Sequence, residues 1–220
     1  MKVGTDGVLL GAWARVEHCR HILDMGTGTG LVALMAAQRS EAHIVAIDLD
    51  ADAVAQATDN VAASPWKERI HVLEADARNL EFKIQNSEFL FDSILCNPPF
   101  FENALKCPDA QRTMARHTDT LTFDELARSA ARLLAPEGEL SVVIPHDRAH
   151  DMTVSCACHG LFATRQTIVI PVEGGKPKRI LMAFTREGAV HTPATLCIQD
   201  KQRQHTPEYV RLVEDFYLKM

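Results

Sequence analysis

The residues best equipped to do chemistry are Asn97, Pro98, Pro99 and Phe100, which close the apolar run Phe91-Asp92-Ser93-Ile94-Leu95-Cys96. An Asn ahead of a proline is pushed out of the helical region into extended geometry, and two prolines in succession stiffen the path after it. The side-chain carbonyl of Asn97 can accept one N–H, and the main-chain carbonyl of Pro98 can accept a second. Two acceptors match the two hydrogens of one exocyclic amine. Holding both pulls the nitrogen lone pair out of conjugation and aims it at an electrophile, while Phe100 offers a ring for the base that carries the amine to stack on.

Such a turn needs strands and helices to position it, and the first hundred residues supply them in alternation. The apolar strand His21–Met25 runs into Gly26-Thr27-Gly28-Thr29-Gly30 and then a helical stretch, 31–39. Glycines at alternate positions let a backbone turn tightly and approach a ligand, and the N–H groups opening the helix favour a negative group. Position 31 is Leu, where a dinucleotide fingerprint wants its third glycine, so the spacing disfavours NAD. A second strand, 44–48, ends in Asp48, which lies 20 positions after Gly28 and suits a ribose clamp, whether the ribose belongs to NAD or to another nucleoside. Asp50 and Asp52 read as the cap and first turn of a helix over 51–63. A third strand, 70–77, ends in Asp76-Ala77, where Asp is either a ligand contact or simply a turn former. With Asn97 ending the fourth strand, these groups collect where open α/β sheets bind ligands. Ahead of them, Lys2, Thr5 and Asp6 precede a helix whose Val8, Leu9, Ala12 and Trp13 share a face; Thr5 or Asp6 can cap it or border the pocket. The second half predicts a capping box at Thr122 and Glu125 opening a helix to Leu134, strands at 140–145, 167–172 and 180–185, a helix over 147–159, and a terminal helix from Glu208 with Val210, Val213, Phe216 and Tyr217 as a packing stripe.

The Asn-Pro-Pro-Phe turn resembles the Asn-Pro-Pro-aromatic motif of amino-group methyltransferases that use S-adenosylmethionine, and Asp24-x-Gly26-x-Gly28-x-Gly30 resembles the first motif of class I methyltransferases. That family implies a single α/β domain over 1–220, a Rossmann-like three-layer sandwich whose seven-stranded sheet is ordered 3-2-1-4-5-7-6 with strand 7 antiparallel. It implies a pocket for S-adenosylmethionine formed by Thr5, Asp24, Gly26, Gly28, Gly30, Asp48, Asp76, Ala77 and Asn97. In it Asp24 meets the methionine end of the cofactor, and Asp76-Ala77 meets the adenine. A closer resemblance, carried by Lys2 to Gly7, Ser64-Pro65-Trp66, Asn97 to Phe100 and Phe216-Tyr217-Leu218, is to bacterial tRNA(Val) adenine N6-methyltransferases. It implies methylation of the adenine 3′ of the anticodon. Those relatives carry more residues ahead of the Lys2 to Gly7 segment, which implies a pocket cover extending beyond Met1. The alternatives are another amino acceptor, such as an rRNA base or a protein glutamine, and a non-catalytic module that binds S-adenosylmethionine.

Net charge is −6, and the whole deficit falls in residues 1–100, so RNA would have to be held by local basic surface. Lys106, Arg112 and Arg116 follow the Asn97 turn, and Lys176, Lys178 and Arg179 form the densest basic turn. Each group reads either as phosphate contacts or as solvated loop. The six cysteines are scattered, which argues against a disulfide scaffold, and Cys156, Cys158 and His159 lack a second pair at zinc spacing, so neither disulfide nor metal is expected. No apolar run approaches the ~20 residues of a membrane span, and no signal region follows Met1, so a cytoplasmic protein is expected.

Overall fold

A computed structural model describes residues 4–82, 90–98, 121–188 and 192–218, with the side chains of 81 and 82 excepted. The elements are α1 (Thr5–Trp13), β1 (His21–Met25), α2 (Leu31–Arg39), β2 (His43–Asp48), α3 (Ala51–Ala62), β3 (Ile70–Glu74), β4 (Phe91–Cys96), α4 (Phe123–Leu133), β5 (Leu134–Pro145), α5 (Ala149–Cys158), β6 (Phe162–Val172), β7 (Arg179–Thr185), β8 (Ala194–Gln199) and α6 (Pro207–Val213).

The strands form one sheet in the order β3-β2-β1-β4-β5-β7-β6-β8. Its first seven positions follow the expected order, and β7 is antiparallel to both β5 and β6. The expectation of seven strands is corrected to eight, because β8 pairs parallel with the outer side of β6. It covers an edge that would otherwise expose unpaired N–H and C=O groups.

Alternation along the central strands divides the core. Ile22, Ile44 and Leu95 pack with α1, α2 and α6 on one face, whereas Leu23, Ile47 and Ile94 pack with α4 and α5 on the other. Strands covered on both faces read as nearly unbroken apolar runs. In β4, Ser93, Ile94, Leu95 and Cys96 are all buried.

The chain moves outward from β1 through β2 to β3, then returns to β4 and moves the other way through β5. A crevice therefore opens between the carboxyl ends of β1 and β4, where Met25 and Cys96 sit side by side. Local signals set several starts. Thr122 Oγ1 accepts the Glu125 N–H at 3.2 Å and Glu125 Oε2 accepts the Thr122 N–H at 2.9 Å, closing the capping box of α4. Asp50 caps α3. By contrast α1 is capped by Gly4 rather than by Thr5 or Asp6, and β3 stops at Glu74, before Asp76.

Candidate active site

The crevice holds a cleft of about 490 Å³, within the range of small-molecule sites. Its walls come from four strand ends and the start of α1. After β1, Gly26, Gly28 and Gly30 all take positive φ, at 76°, 57° and 82°, a region that costs any side chain with a Cβ. The N–H groups of Gly26 and Thr27 both donate to the Ile47 carbonyl, at 2.9 and 2.8 Å, which ties the loop to β2. Gly26 and Gly28 line the cleft. Gly30 does not: it opens α2 against α3, where a Cβ would meet Ala57 at 3.4 Å.

Asp24, expected beside the methionine end of the cofactor, stands behind this loop and is not among the residues that line the cleft. It is 1% exposed, and its Oδ2 accepts the Thr27 hydroxyl at 2.6 Å and the Ala33 N–H at 3.1 Å, so it fastens the loop to α2. Burial pushes its carboxyl up to about 6 from an ordinary 3.8, with Asp48 adding to the rise and the two hydrogen bonds opposing it. The folded state thus holds this proton more tightly than the unfolded chain. Stability from the group is full below about pH 3.8 and is lost as pH rises through about 6. Asp24→Asn cannot titrate. Between pH 4 and 7 wild type should lose stability relative to Asp24→Asn by on the order of 2 to 3 kcal/mol in urea unfolding. A difference that stays constant over that window would mean that Asp24 titrates ordinarily.

Asp48, at the end of β2, is on the wall: Oδ2 accepts the Gly28 N–H at 2.8 Å and Oδ1 the Asp50 N–H at 3.1 Å. Beyond β3, Asp76 and Ala77 line the cleft. Asp76 is held by Arg78, whose Nε donates at 2.8 and 2.9 Å and whose Nη2 lies at 2.7 Å. Burial pushes the Asp76 carboxyl up, and Arg78 outweighs it, leaving it below the ordinary value. Arg78 reaches on to Glu125 at 3.5 Å, so the capping box of α4 is coupled to this wall.

Beyond β4, half-buried Asn97 and buried Pro98 line the same cleft as the glycine loop, Asp48 and Asp76. Pro99, Phe100, Lys106, Arg112 and Arg116 lie outside the described residues. From α1, the cleft takes Gly4, Asp6 and Gly7, while the expected Thr5 faces a second cleft. Asp6 accepts from Arg179 Nε at 2.8 Å. Arg179, expected as a phosphate contact, is therefore engaged in holding α1 across β7. Lys176 and Lys178 are exposed on the turn before β7. Since Arg179 pairs in register with Pro145, the last residue of β5, that turn lies on the carboxyl edge with the cleft.

Several lining residues were not foreseen. Leu49 and Leu121 give apolar wall, and Arg78, in the short 3-10 helix Ala77–Phe82, sits beside Asp76; a charge pair two residues apart at the start of so short a helix has no periodic signature. Among the described residues no group of three potential metal ligands is found, and no helix is long and apolar enough to cross a membrane. Cys19, Cys96, Cys156, Cys158 and Cys197 are free thiols.

The profile of the methyltransferase small domain matches residues 6–157. Two relatives, each a tRNA1(Val) (adenine(37)-N6)-methyltransferase, are 51% identical over 220 residues in Phocaeicola vulgatus and 48% identical over 222 residues in Bacteroides thetaiotaomicron. Each alignment spans 100% of this chain and 92% of the relative. A predicted O-methyltransferase of Agrobacterium tumefaciens, solved by crystallography, superposes with a TM-score of 0.74 at 19% identity, covering 96% of both chains, and so shares the fold.

Proposed function

Because the chain belongs to the methyltransferase small domain family and aligns end to end with tRNA1(Val) adenine-37 methyltransferases, we propose that it methylates N6 of an adenine in tRNA. S-adenosylmethionine is the donor, and the target is the adenine 3′ of the anticodon of a tRNA(Val). The observation that carries this reading is the placing of Asn97 and Pro98 on one cleft with the glycine loop, Asp48 and Asp76.

That donor and acceptor set fits a nucleoside with an amino-acid tail. Asp48 has acceptor capacity for a ribose diol beyond the two N–H groups it already holds. Ile47, Leu49 and Leu121 offer apolar surface to a purine, and Asp76 lies nearby to accept from its amine. When bound, S-adenosylmethionine supplies an electrophilic methyl group on a sulfonium.

The protein's own task is then chiefly positioning. Asn97 and Pro98 hold the two hydrogens of the acceptor amine and orient its lone pair. The nitrogen becomes acidic as its new bond forms, and its proton can pass to water, so no strongly basic side chain is required. A base of a folded RNA must be unstacked to reach this depth. A tRNA substrate also supports a cytoplasmic location for this work.

Lys176 and Lys178 suit the RNA backbone because they are exposed on the same edge as the cleft. Methylation of unmodified tRNA transcripts, followed by nucleoside mass spectrometry, should yield N6-methyladenosine at one position of tRNA(Val). The Lys176→Ala, Lys178→Ala double variant should bind that RNA less tightly and with a flatter salt dependence, by up to about one unit of slope per lost phosphate contact. Its S-adenosylmethionine affinity should not move. Methylation of a protein glutamine with none of RNA would overturn the acceptor assignment.

A further inference from the structure

A second cleft, of about 560 Å³, opens on the same edge. Pro171 near the end of β6 and Gln199 at the end of β8 contribute to it, and these two strands are parallel with their ends in register. His205, Tyr209 and Tyr217 supply three rings, and Ile198 an aliphatic wall. Thr5 lines this cleft while its neighbours Gly4 and Asp6 line the first, so the start of α1 is the partition between the two.

Tyr209 is 3% exposed and belongs to the core, whereas the other two rings, His205 and Tyr217, are exposed and open to contact. Val213 is fully buried and Phe216 packs against the core, but after the short turn 214–216 Tyr217 emerges 39% exposed. The terminal stripe expected from sequence is thus split, with Tyr217 on a cleft. His205 is exposed and lies 5.1 Å from Tyr209, centroid to centroid, at 57°. Burial and a hydrogen bond with Tyr217 push the Tyr209 phenol up, which keeps it protonated at neutral pH. The Gln199 amide adds a donor and an acceptor.

Cations flank the cleft on both sides. Lys176 and Lys178 lie on the turn after β6, and Lys201 and Arg203 on the exposed connection from β8 to α6. Of the acids nearby, Asp200 accepts the Gln204 N–H at 2.9 Å, Glu208 pairs with Arg211 at 3.2 Å, and Glu173, Glu214 and Asp215 are exposed, so the cations lie on the sides toward the turn after β6 and the connection after β8 rather than along the terminal segment. Aromatic faces, an amide and flanking cations are the chemistry that holds a base between two phosphates.

We infer that this second cleft receives one unpaired nucleobase of the substrate RNA, a near neighbour of the reactive adenine, stacked on Tyr217 and His205. The inference rests on the tRNA reading above and adds a subsite to it. A base docked here anchors the strand while its neighbour enters the first cleft across the α1 partition.

The test uses an anticodon stem-loop of tRNA(Val) and versions made abasic at each nucleotide flanking the reactive adenine. Tyr217→Ala should raise KM for the intact RNA by roughly 5- to 150-fold, the range for loss of one base–aromatic stack. Its S-adenosylmethionine affinity should match wild type, and Tyr217→Phe, which keeps the ring but not the hydroxyl that meets Tyr209, should restore KM while sharing whatever loss of thermal midpoint Tyr217→Ala shows. One abasic position should cost wild type a similar factor and cost Tyr217→Ala little more. If every abasic RNA penalises Tyr217→Ala as much as wild type, the subsite is refuted while methylation, and with it the tRNA reading, stands. If wild type methylates no RNA at all, both fall.

Discussion

Asn97→Ala is expected to slow methyl transfer by at least about 100-fold while changing S-adenosylmethionine affinity by no more than about threefold. Loss of orientation at a reacting centre is worth that much on its own. The turn keeps its shape in this variant, because Cys96 remains in register with Met25 and Pro98 still fixes the backbone after position 97. What disappears is the side-chain acceptor, so the amine retains one anchor instead of two and its lone pair is no longer directed. The cleft's other walls, Asp48, Asp76 and the glycine loop, are untouched. Single-turnover transfer at saturating cofactor, with calorimetry for binding, separates the two effects. Asn97→Asp is a useful companion: it keeps an acceptor of the same size but adds a charge near two carboxylates, and it should fall between wild type and alanine. Retention of most activity by Asn97→Ala would rule out the two-acceptor mechanism.

Much of the scaffold was legible because buried parallel strands advertise themselves. His21–Met25 and Phe91–Cys96 are short apolar runs with Gly26 and the Asn97-Pro98 turn after them, and between them α3 carries its own cap in Asp50. What escaped was the outer edge. In β8, Leu196 alone is well buried, and the sequence offers only the three-residue apolar run Leu196-Cys197-Ile198, too short to mark a strand by itself. Only the presence of β6 beside it makes it a strand. The first residues of β5 and β6 were missed likewise, since Glu137, Gly138 and Arg165 are poor strand formers that tertiary context overrides.

At the site, the order of motifs was readable, but the direction in which side chains point was not. Thr5 and Asp6 are adjacent in sequence, yet neighbours on a helix are about 100° apart, and they face different clefts. Gly30 and Asp24 belong to the glycine motif through the backbone they stabilise: one permits the turn into α2, the other fastens it from behind. Arg179 looked like part of a basic cluster because its partner, Asp6, is 173 positions away. A contact that distant leaves no local trace in a single sequence.

Asp48→Ala should weaken S-adenosylmethionine binding by about 1.5 to 3 kcal/mol, roughly 10- to 150-fold in Kd, the range for hydrogen bonds to a charged group. Two losses contribute. The carboxylate is the acceptor at the end of β2 best placed for a ribose diol, and it also holds the Gly28 N–H at 2.8 Å, fixing the loop that faces the ligand. Gly28, at a φ of 57°, has little intrinsic preference for that shape. Asp48→Asn separates the contributions. Its amide oxygen can still accept from Gly28, so the loop stays anchored, but a neutral group with one acceptor oxygen holds a diol less well. Asparagine should therefore recover part of the affinity, and the size of that recovery measures the loop's share. Folding should change little in either variant, because Gly26 and Thr27 remain tied to Ile47 by two further hydrogen bonds. Calorimetric titration of the two variants and wild type decides the matter, and unchanged affinity in Asp48→Ala would remove Asp48 from the binding site.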